Sequence, residues 1–159
     1  MVAEDHRPFR ASYIVSGVAA DRIFASLLEV QRFPEWAAGI QRCRALDPAG
    51  IAETKDLRPG VRLEFTLSAA GLTHEVVSIV TVVEPPRRLE WNYVEGAVGG
   101  GGWLVEQEAP GAVRITVSTD YLIRPAWLDN LAHKPFFRRL TEDLLKRSMR
   151  RFDAHLRHG

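Results

Sequence analysis

The sequence has few of the features that identify a function most readily. Its single cysteine, Cys43, excludes an intramolecular disulfide framework and is typical of a reducing compartment. The formal net charge is only +1, so no bulk electrostatic attraction to nucleic acid or to a membrane is expected. No apolar run approaches the roughly 20 residues of a membrane span, and the first residues lack the apolar core of a secretory signal. These absences favour a cytoplasmic protein whose residues 1–159 form a single domain.

Motifs for several kinds of catalysis are also absent. The glycine run at residues 99–102 lacks the lysine and the spacing of a phosphate-binding loop. The sequence has no G-x-S-x-G nucleophile elbow, and no set of His, Cys, Asp and Glu has metal-ligand spacing. We therefore expect no metal and no cofactor.

The sequence does contain the alternation of apolar and polar residues that is typical of half-buried strands. Such alternation covers residues 9–16, 61–68 and 113–123, and strands are also predicted over 40–46, 72–83, 89–93 and 97–108. Turn residues separate consecutive strands, which predicts an antiparallel meander. Residues 47–60 are a polar loop, long enough to act as a lid.

Helical patterns lie on both sides of these strands. Two short helical segments, 19–30 and 33–36, follow the first strand, and an amphipathic helix covers 136–156 after a shorter one at 127–131. A helix about 30 Å long has to bury its apolar side, and the remaining apolar surface belongs to the strands. We therefore predict an α+β fold in which a curved seven-stranded antiparallel sheet wraps around the long C-terminal helix. Since such a sheet cannot touch the helix everywhere, an apolar cavity between them is the expected binding site.

Several segments resemble a known family. Residues 18–24 (VAADRIF), 32–36 (RFPEW) and 87–91 (RRLEW), the turn at Glu95 and Gly96, and residues 125–156 are similar to the START-like superfamily, also called SRPBCC or Bet v 1-like. Within it, the chain most resembles the bacterial polyketide cyclase/dehydrase and coenzyme Q-binding group. The resemblance implies a helix-grip fold and a small hydrophobic ligand, but none of these segments is catalytic. The glycine run departs from relatives, which often carry a bulky or basic segment there.

Strand parity indicates which aromatic side chains face the predicted cavity. Trp91, Tyr93, Trp103 and Tyr121 share the parity of apolar neighbours, so we expect them on the concave side of the sheet. Taken singly, each is more typical of a residue that fills the core, whereas together the four favour a lined pocket. The full predicted ligand-binding set is Phe65, Trp91, Tyr93, Trp103, Tyr121, Trp127, Phe137, Leu140 and Leu144.

Four side chains are candidates for acid–base chemistry. His74 is a candidate general base, Arg124 could clamp a carboxylate or an enolate, and Tyr93 and Tyr121 could polarise carbonyl groups. The plain alternatives are a hydrogen-bonded strand histidine, a surface ion pair, and tyrosines that fill the core.

These observations leave three functions open. The first is binding of a polyketide-, lipid- or quinone-like molecule in the cavity. The second is a polyketide aromatase/cyclase that folds a poly-β-ketone in the same cavity. The third is an interaction module that uses the basic face of the long helix, since some relatives bind ribosomes and such a face suits an anionic membrane. The glycine run fits either a bulged strand or a wall kept bare for a ligand. We expect no nucleic-acid partner, and a monomer or a homodimer.

Overall fold

The computed structural model describes residues 8–69, 71–123 and 135–158. It contains one seven-stranded antiparallel sheet in the order β1-β7-β6-β5-β4-β3-β2, which confirms the predicted helix-grip architecture. The strands are β1 (Phe9–Ser16), β2 (Ile40–Leu46), β3 (Arg62–Ala69), β4 (Leu72–Glu84), β5 (Arg88–Glu95), β6 (Ala97–Ala109) and β7 (Ala112–Ile123). The helices are α1 (Ala20–Leu28), a 3₁₀ helix (Val30–Glu35) and α2 (Pro135–His158).

The described part of the chain has no helix that is both long enough and apolar enough to cross a membrane. The predicted short helix at 127–131 lies outside the described residues.

Cross-strand pairing shows which positions of each strand face the interior of the protein. On β1, Phe9, Ala11 and Val15 are buried while the residues between them are exposed or partly exposed. Cross-strand partners lie on the same face of a sheet, and Phe9 is paired with Thr119 on β7. The same reasoning continues through β6 to β5, so the inner face of the sheet can be followed residue by residue.

The pairing of β4 with β5 is irregular twice: the extra residue is Val94 on β5 beside Val77 and Ser78, and Thr81 on β4 between Val80 and Val82. A bulge bends the strand and increases its local twist. These bulges contribute to the curvature that lets the sheet wrap around α2. The sequence of β4 shows apolar residues at successive positions because its outward residues Val77 and Ile79 are apolar as well.

Polar contacts tie α2 along the edge strand β1. The Tyr13 hydroxyl donates to Asp153 Oδ2 at 2.7 Å, and Arg157 Nη2 donates to the Ser16 carbonyl at 2.9 Å. Nearer the start of the helix, Arg138 Nη2 donates to the Pro8 carbonyl at 3.2 Å. At the other edge of the sheet the 3₁₀ helix packs against β2. The helix is therefore fixed along one edge of the curved sheet.

The two halves of α2 have different surroundings. In the C-terminal half, Met149, Phe152 and Leu156 are each at most 1% exposed, and the Phe152 ring packs against Trp36 with ring centroids 4.6 Å apart. In the N-terminal half, Leu144 and Leu145 are only partly buried and face a void. The interior is thus filled at one end and hollow at the other.

Candidate functional site

A cavity of about 300 Å³ lies between the sheet and the N-terminal half of α2. This volume is at the lower end of the range of about 300–1,000 Å³ for small-molecule sites, and equals the liquid volume of roughly ten water molecules. Its described lining contains no Asp, Glu, Lys or Arg side chain. The aromatic lining residues are Phe33, Trp36, Phe65, Trp91, Tyr93 and Trp103.

The lining reaches the surface at the β3–β4 hairpin. Leu67 and Leu72 both line the cavity, yet they are 36% and 39% exposed. The loop at 47–60 joins the opposite ends of β2 and β3 and contributes nothing to the lining, and its Leu57 is buried in the core. The prediction that this loop covers the cavity is therefore wrong, because the loop is packed at the far end of these strands.

A pair of hydroxyl groups lies on the sheet side of the cavity. The Tyr93 hydroxyl on β5 and Thr119 Oγ1 on β7 are 2.6 Å apart, although β6 runs between these two strands. Burial raises the pKa of Tyr93, and its hydrogen-bonding neighbours Thr119 and Trp91 act in the opposite direction. With a net raised pKa, the Tyr93 phenol stays protonated at neutral pH and remains a hydrogen-bond donor.

Strand β4 adds two further polar side chains to the same face. His74 lines the cavity and its Nε2 lies 2.8 Å from the Gly96 carbonyl. Because a carbonyl can only accept, Nε2 carries the hydrogen, and in neutral His74 the Nδ1 atom is left as an acceptor. Ser78, directly opposite Tyr93 in the β4–β5 ladder, is fully buried, and its hydroxyl has no hydrogen-bond partner among the described residues.

Ser148 organises the α2 side of the cavity. Its hydroxyl accepts from the Ala38 backbone N–H at 2.8 Å and donates to the Leu144 carbonyl at 2.7 Å. Both bonds are structural, so Ser148 joins the segment after the 3₁₀ helix to α2. We therefore assign Ser148 to holding the wall in place, with its proton already committed.

The structure brings together much of the predicted site. Phe65, Trp91, Tyr93, Trp103, Leu144 and the candidate base His74 all line the cavity, whereas Leu140 is partly buried outside the lining. Arg124 and Trp127 lie outside the described residues, and nothing is described of the side chains of Tyr121 and Phe137.

Sequence reasoning missed several lining residues that the structure adds. Phe33 and Trp36 belong to a segment that we associated only with the fold, yet both line the cavity. Thr119 could have been found, because it is a polar residue at an inward position of the cleanly alternating β7. Ser78, which is buried on the same face without lining the cavity, is harder to find, because its outward neighbours Val77 and Ile79 are apolar as well.

Two other kinds of chemistry find no support within the described residues. Burial raises the pKa of the Cys43 thiol well above its usual range, so the cysteine is held as an unreactive thiol. No group of three or more His, Cys, Asp and Glu side chains in the described part of the chain is arranged to hold a metal ion.

Solved structures show the same fold at low sequence identity. A protein of Thermus thermophilus superposes with a TM-score of 0.75 and 12% identity, covering 96% of this chain and 98% of the other. A START superfamily protein of Mycobacterium smegmatis superposes with a TM-score of 0.70 and 14% identity, covering 95% of this chain and 97% of the other. The Zhui aromatase/cyclase of a Streptomyces species superposes with a TM-score of 0.68 and 16% identity, covering 95% of this chain and 93% of the other. No curated protein sequence matches the chain significantly.

The sequence itself matches one protein family, described as polyketide cyclase/dehydrase and lipid transport. The match runs over residues 9–157, from the first residue of β1 almost to the end of α2. It therefore includes every strand and helix that forms the cavity. The chain belongs to the polyketide cyclase/dehydrase and lipid transport family.

Proposed function

We propose that the protein binds a small, uncharged, largely apolar molecule that carries one or two oxygen functions, such as a compact polyketide- or quinone-like ring system. One observation carries this proposal: a cavity of about 300 Å³ whose described lining is largely aromatic and aliphatic, with a Tyr93–Thr119 hydroxyl pair and no Asp, Glu, Lys or Arg side chain.

The absence of charge in the described lining bears on the kind of ligand. Moving an ionised group out of water into an apolar site costs several kcal/mol or more unless an opposite charge meets it. A carboxylate or phosphate inside this cavity would meet no Lys or Arg side chain among the described lining residues. The small volume likewise favours a compact ring system over a long-chain lipid, and the aromatic lining suits flat rings.

The polar groups bear on the orientation of the ligand. Whichever hydroxyl donates within the Tyr93–Thr119 pair, the second O–H can donate to a ligand carbonyl or hydroxyl oxygen. His74 Nδ1 can accept from a ligand hydroxyl. A molecule with an oxygen function at one end would therefore be held with that end toward β4, β5 and β7.

Matched bicyclic probes test this function. We expect 2-naphthol to bind about fivefold more tightly than naphthalene, because a hydrogen bond in a desolvated site contributes about 1 kcal/mol. Tyr93→Phe should remove most of that difference while leaving naphthalene affinity unchanged. Binding is measured by quenching of tryptophan fluorescence, since Trp36, Trp91 and Trp103 line the cavity. Naphthalene-2-sulfonate is the charged control, and equal or tighter binding of it would contradict the proposal.

A second candidate, an aromatase/cyclase, is favoured by the placement of Tyr93 and His74 in one cavity. Holding a poly-β-ketone in a near-attack shape could supply much of the rate enhancement. His74 Nδ1 would take a proton from a methylene carbon, and the Tyr93–Thr119 pair would stabilise the enolate oxygen. Under this candidate, His74→Gln and Tyr93→Phe still bind 2-naphthol but lose turnover of a synthetic poly-β-ketone thioester. An unchanged product profile with and without the protein would exclude it.

The third function stays a prediction. The exposed basic residues of α2 include Arg139, Lys146, Arg147, Arg150 and Arg151.

A further inference from the structure

The glycine run at residues 99–102 lies in a regular part of the sheet. Each of its glycines is paired in register with both β5 and β7, and the bulge on β6 occurs later, between Gln107 and Ala109. The bulged-strand interpretation of the run is therefore wrong. Successive residues of a strand point to opposite faces. Gly99 and Gly101 share the inner face with their β5 partners Tyr93 and Trp91.

The inner face of Gly101 is already occupied. A Cβ atom at this position would lie 2.9 Å from Trp91 Cζ2 and 3.1 Å from Trp91 Cε2, closer than carbon atoms normally approach. The Trp91 indole therefore lies directly against the Gly101 backbone. The space above Gly101 is filled by this ring, which in turn forms part of the cavity wall.

The Tyr93 ring also lies over the inner face of β6 at Gly99 and Gly101, where the strand has no side chains. Neighbouring strands are about 4.8 Å apart, so β5 and β7 are separated by roughly 10 Å. Tyr93 spans this distance to place its hydroxyl 2.6 Å from Thr119 Oγ1. Gly99 is the β6 partner of Tyr93, and Gly101 is the β6 partner of Thr119. The ring thus crosses β6 between two positions that have no side chain, and Gly99, with φ 124°, also has a backbone conformation that favours glycine.

We propose that Gly99 and Gly101 are positioning residues of the binding site: they let Trp91 and Tyr93 lie flat on β6, which keeps the cavity open and holds the Tyr93 hydroxyl against Thr119. A side chain at Gly101 would lift the indole into the space that a ligand occupies. This inference rests on the proposed binding function for its ligand readout, but the packing it describes can be measured without a ligand.

The chain offers a matched control for the test. Gly102 lies on the outer face of the same strand, where a Cβ would be 2.8 Å from the Leu89 carbonyl oxygen and 3.0 Å from Glu90 Cγ. At Gly101 the nearest backbone atom is the Ser118 carbonyl oxygen at 2.6 Å. Both alanine substitutions therefore disturb the ladder to a similar degree, and only Gly101→Ala also displaces the Trp91 indole.

A double-mutant cycle measures the packing without a ligand. We expect Gly101→Ala to lower the urea midpoint of unfolding much less in a Trp91→Leu background than in the wild type, while Gly102→Ala costs the same in both backgrounds. If Gly101→Ala alone does not fold while Gly102→Ala does, recovery of folding on adding Trp91→Leu supports the proposal and failure to recover overturns it. Equal costs of Gly101→Ala in the two backgrounds would also overturn it.

Ligand binding tests the consequence for the site. With 2-naphthol as the probe, we expect Gly101→Ala to bind about tenfold more weakly than the wild type, since overpacking fills the cavity. Gly102→Ala should bind like the wild type. Wild-type affinity in Gly101→Ala would overturn the assignment. If even the wild type fails to bind 2-naphthol, the proposed function fails, and the cycle still decides whether Gly101 positions Trp91.

Discussion

Single polar side chains decide how α2 is held against the sheet. The clearest is Tyr13 on β1, whose hydroxyl reaches Asp153 across the interface, where Asp153 also accepts from Arg157 Nε at 2.6 Å. Ser148 has a comparable role nearer the cavity, where it joins Ala38 to the helix. Apolar packing alone would leave the helix free to shift along its axis, because the hydrophobic effect has no direction. Directional bonds at these few residues set its register.

Tyr13→Phe tests this role. We expect it to lower the free energy of unfolding by about 1 kcal/mol, the typical net value of one hydrogen bond, which shifts the melting temperature by about 2–4 °C in a domain of this size. The cost should shrink in an Asp153→Asn background, and equal costs in both backgrounds would show that the two groups are not coupled.

The same substitution has a signature at high pH. The hydrogen bond to Asp153, then burial and the Asp153 charge, raise the pKa of Tyr13. A raised folded-state pKa stabilises the fold fully below the unfolded pKa of about 10, and this stabilisation is lost as the pH rises through the folded value. Tyr13→Phe should therefore flatten the loss of stability above pH 10 in urea unfolding. Part of the loss remains, because burial also raises the pKa of Tyr93.

At the scale of elements, the strands differ in how clearly their sequences show which residues face the interior. Strands β1, β3 and β7 alternate cleanly because each is half-buried and regular, so the inward positions of Phe65 on β3 and Thr119 on β7 follow from pattern alone. On β4 the inward positions of Val76, Ser78 and Val80 alternate regularly, but the outward residues Val77 and Ile79 are apolar as well, so the sequence hides the alternation. The inward position of Ser78 is shown by its pairing with the buried Leu63 of β3.

The glycine strand shows a different limit of sequence reasoning. Four adjacent glycines suggest weakness in a strand, because glycine has no side chain to pack and loses the most conformational entropy on folding. The structure shows why β6 nevertheless pairs regularly there: the side chains that cover it come from β5. Periodicity within one strand cannot predict that a ring from the neighbouring strand fills the space, because this contact is set by the register between them.

For the molecule as a whole, the important property is that the interior formed by the described residues is packed at one end and open at the other. Beyond Trp36 the core contains the ends of α1 and α2 and is closed to solvent, whereas the part nearer the β3–β4 hairpin holds the cavity. A fold of this kind separates stability from binding. The closed end supplies hydrophobic burial, and the open end leaves apolar surface available to a ligand. Substitutions at the packed end should therefore mainly lower stability, whereas substitutions at the open end should mainly change ligand binding.

The same substitution at two positions of α2 tests this division. Leu156 is 1% exposed at the packed end, so Leu156→Ala should lower the free energy of unfolding by about 2–5 kcal/mol through lost burial and the new void. Leu144 is partly buried and faces the existing cavity, so Leu144→Ala should cost only about 1 kcal/mol. Instead, it enlarges the site, and we expect tighter binding of an anthracene-sized phenol relative to 2-naphthol. Both variants remove the same atoms from one helix, so intrinsic helix propensity cancels in the comparison. Urea unfolding measures the two costs, and a Leu144→Ala cost as large as that of Leu156→Ala would show that the interior around Leu144 is packed like the core, in which case it could not admit a ligand.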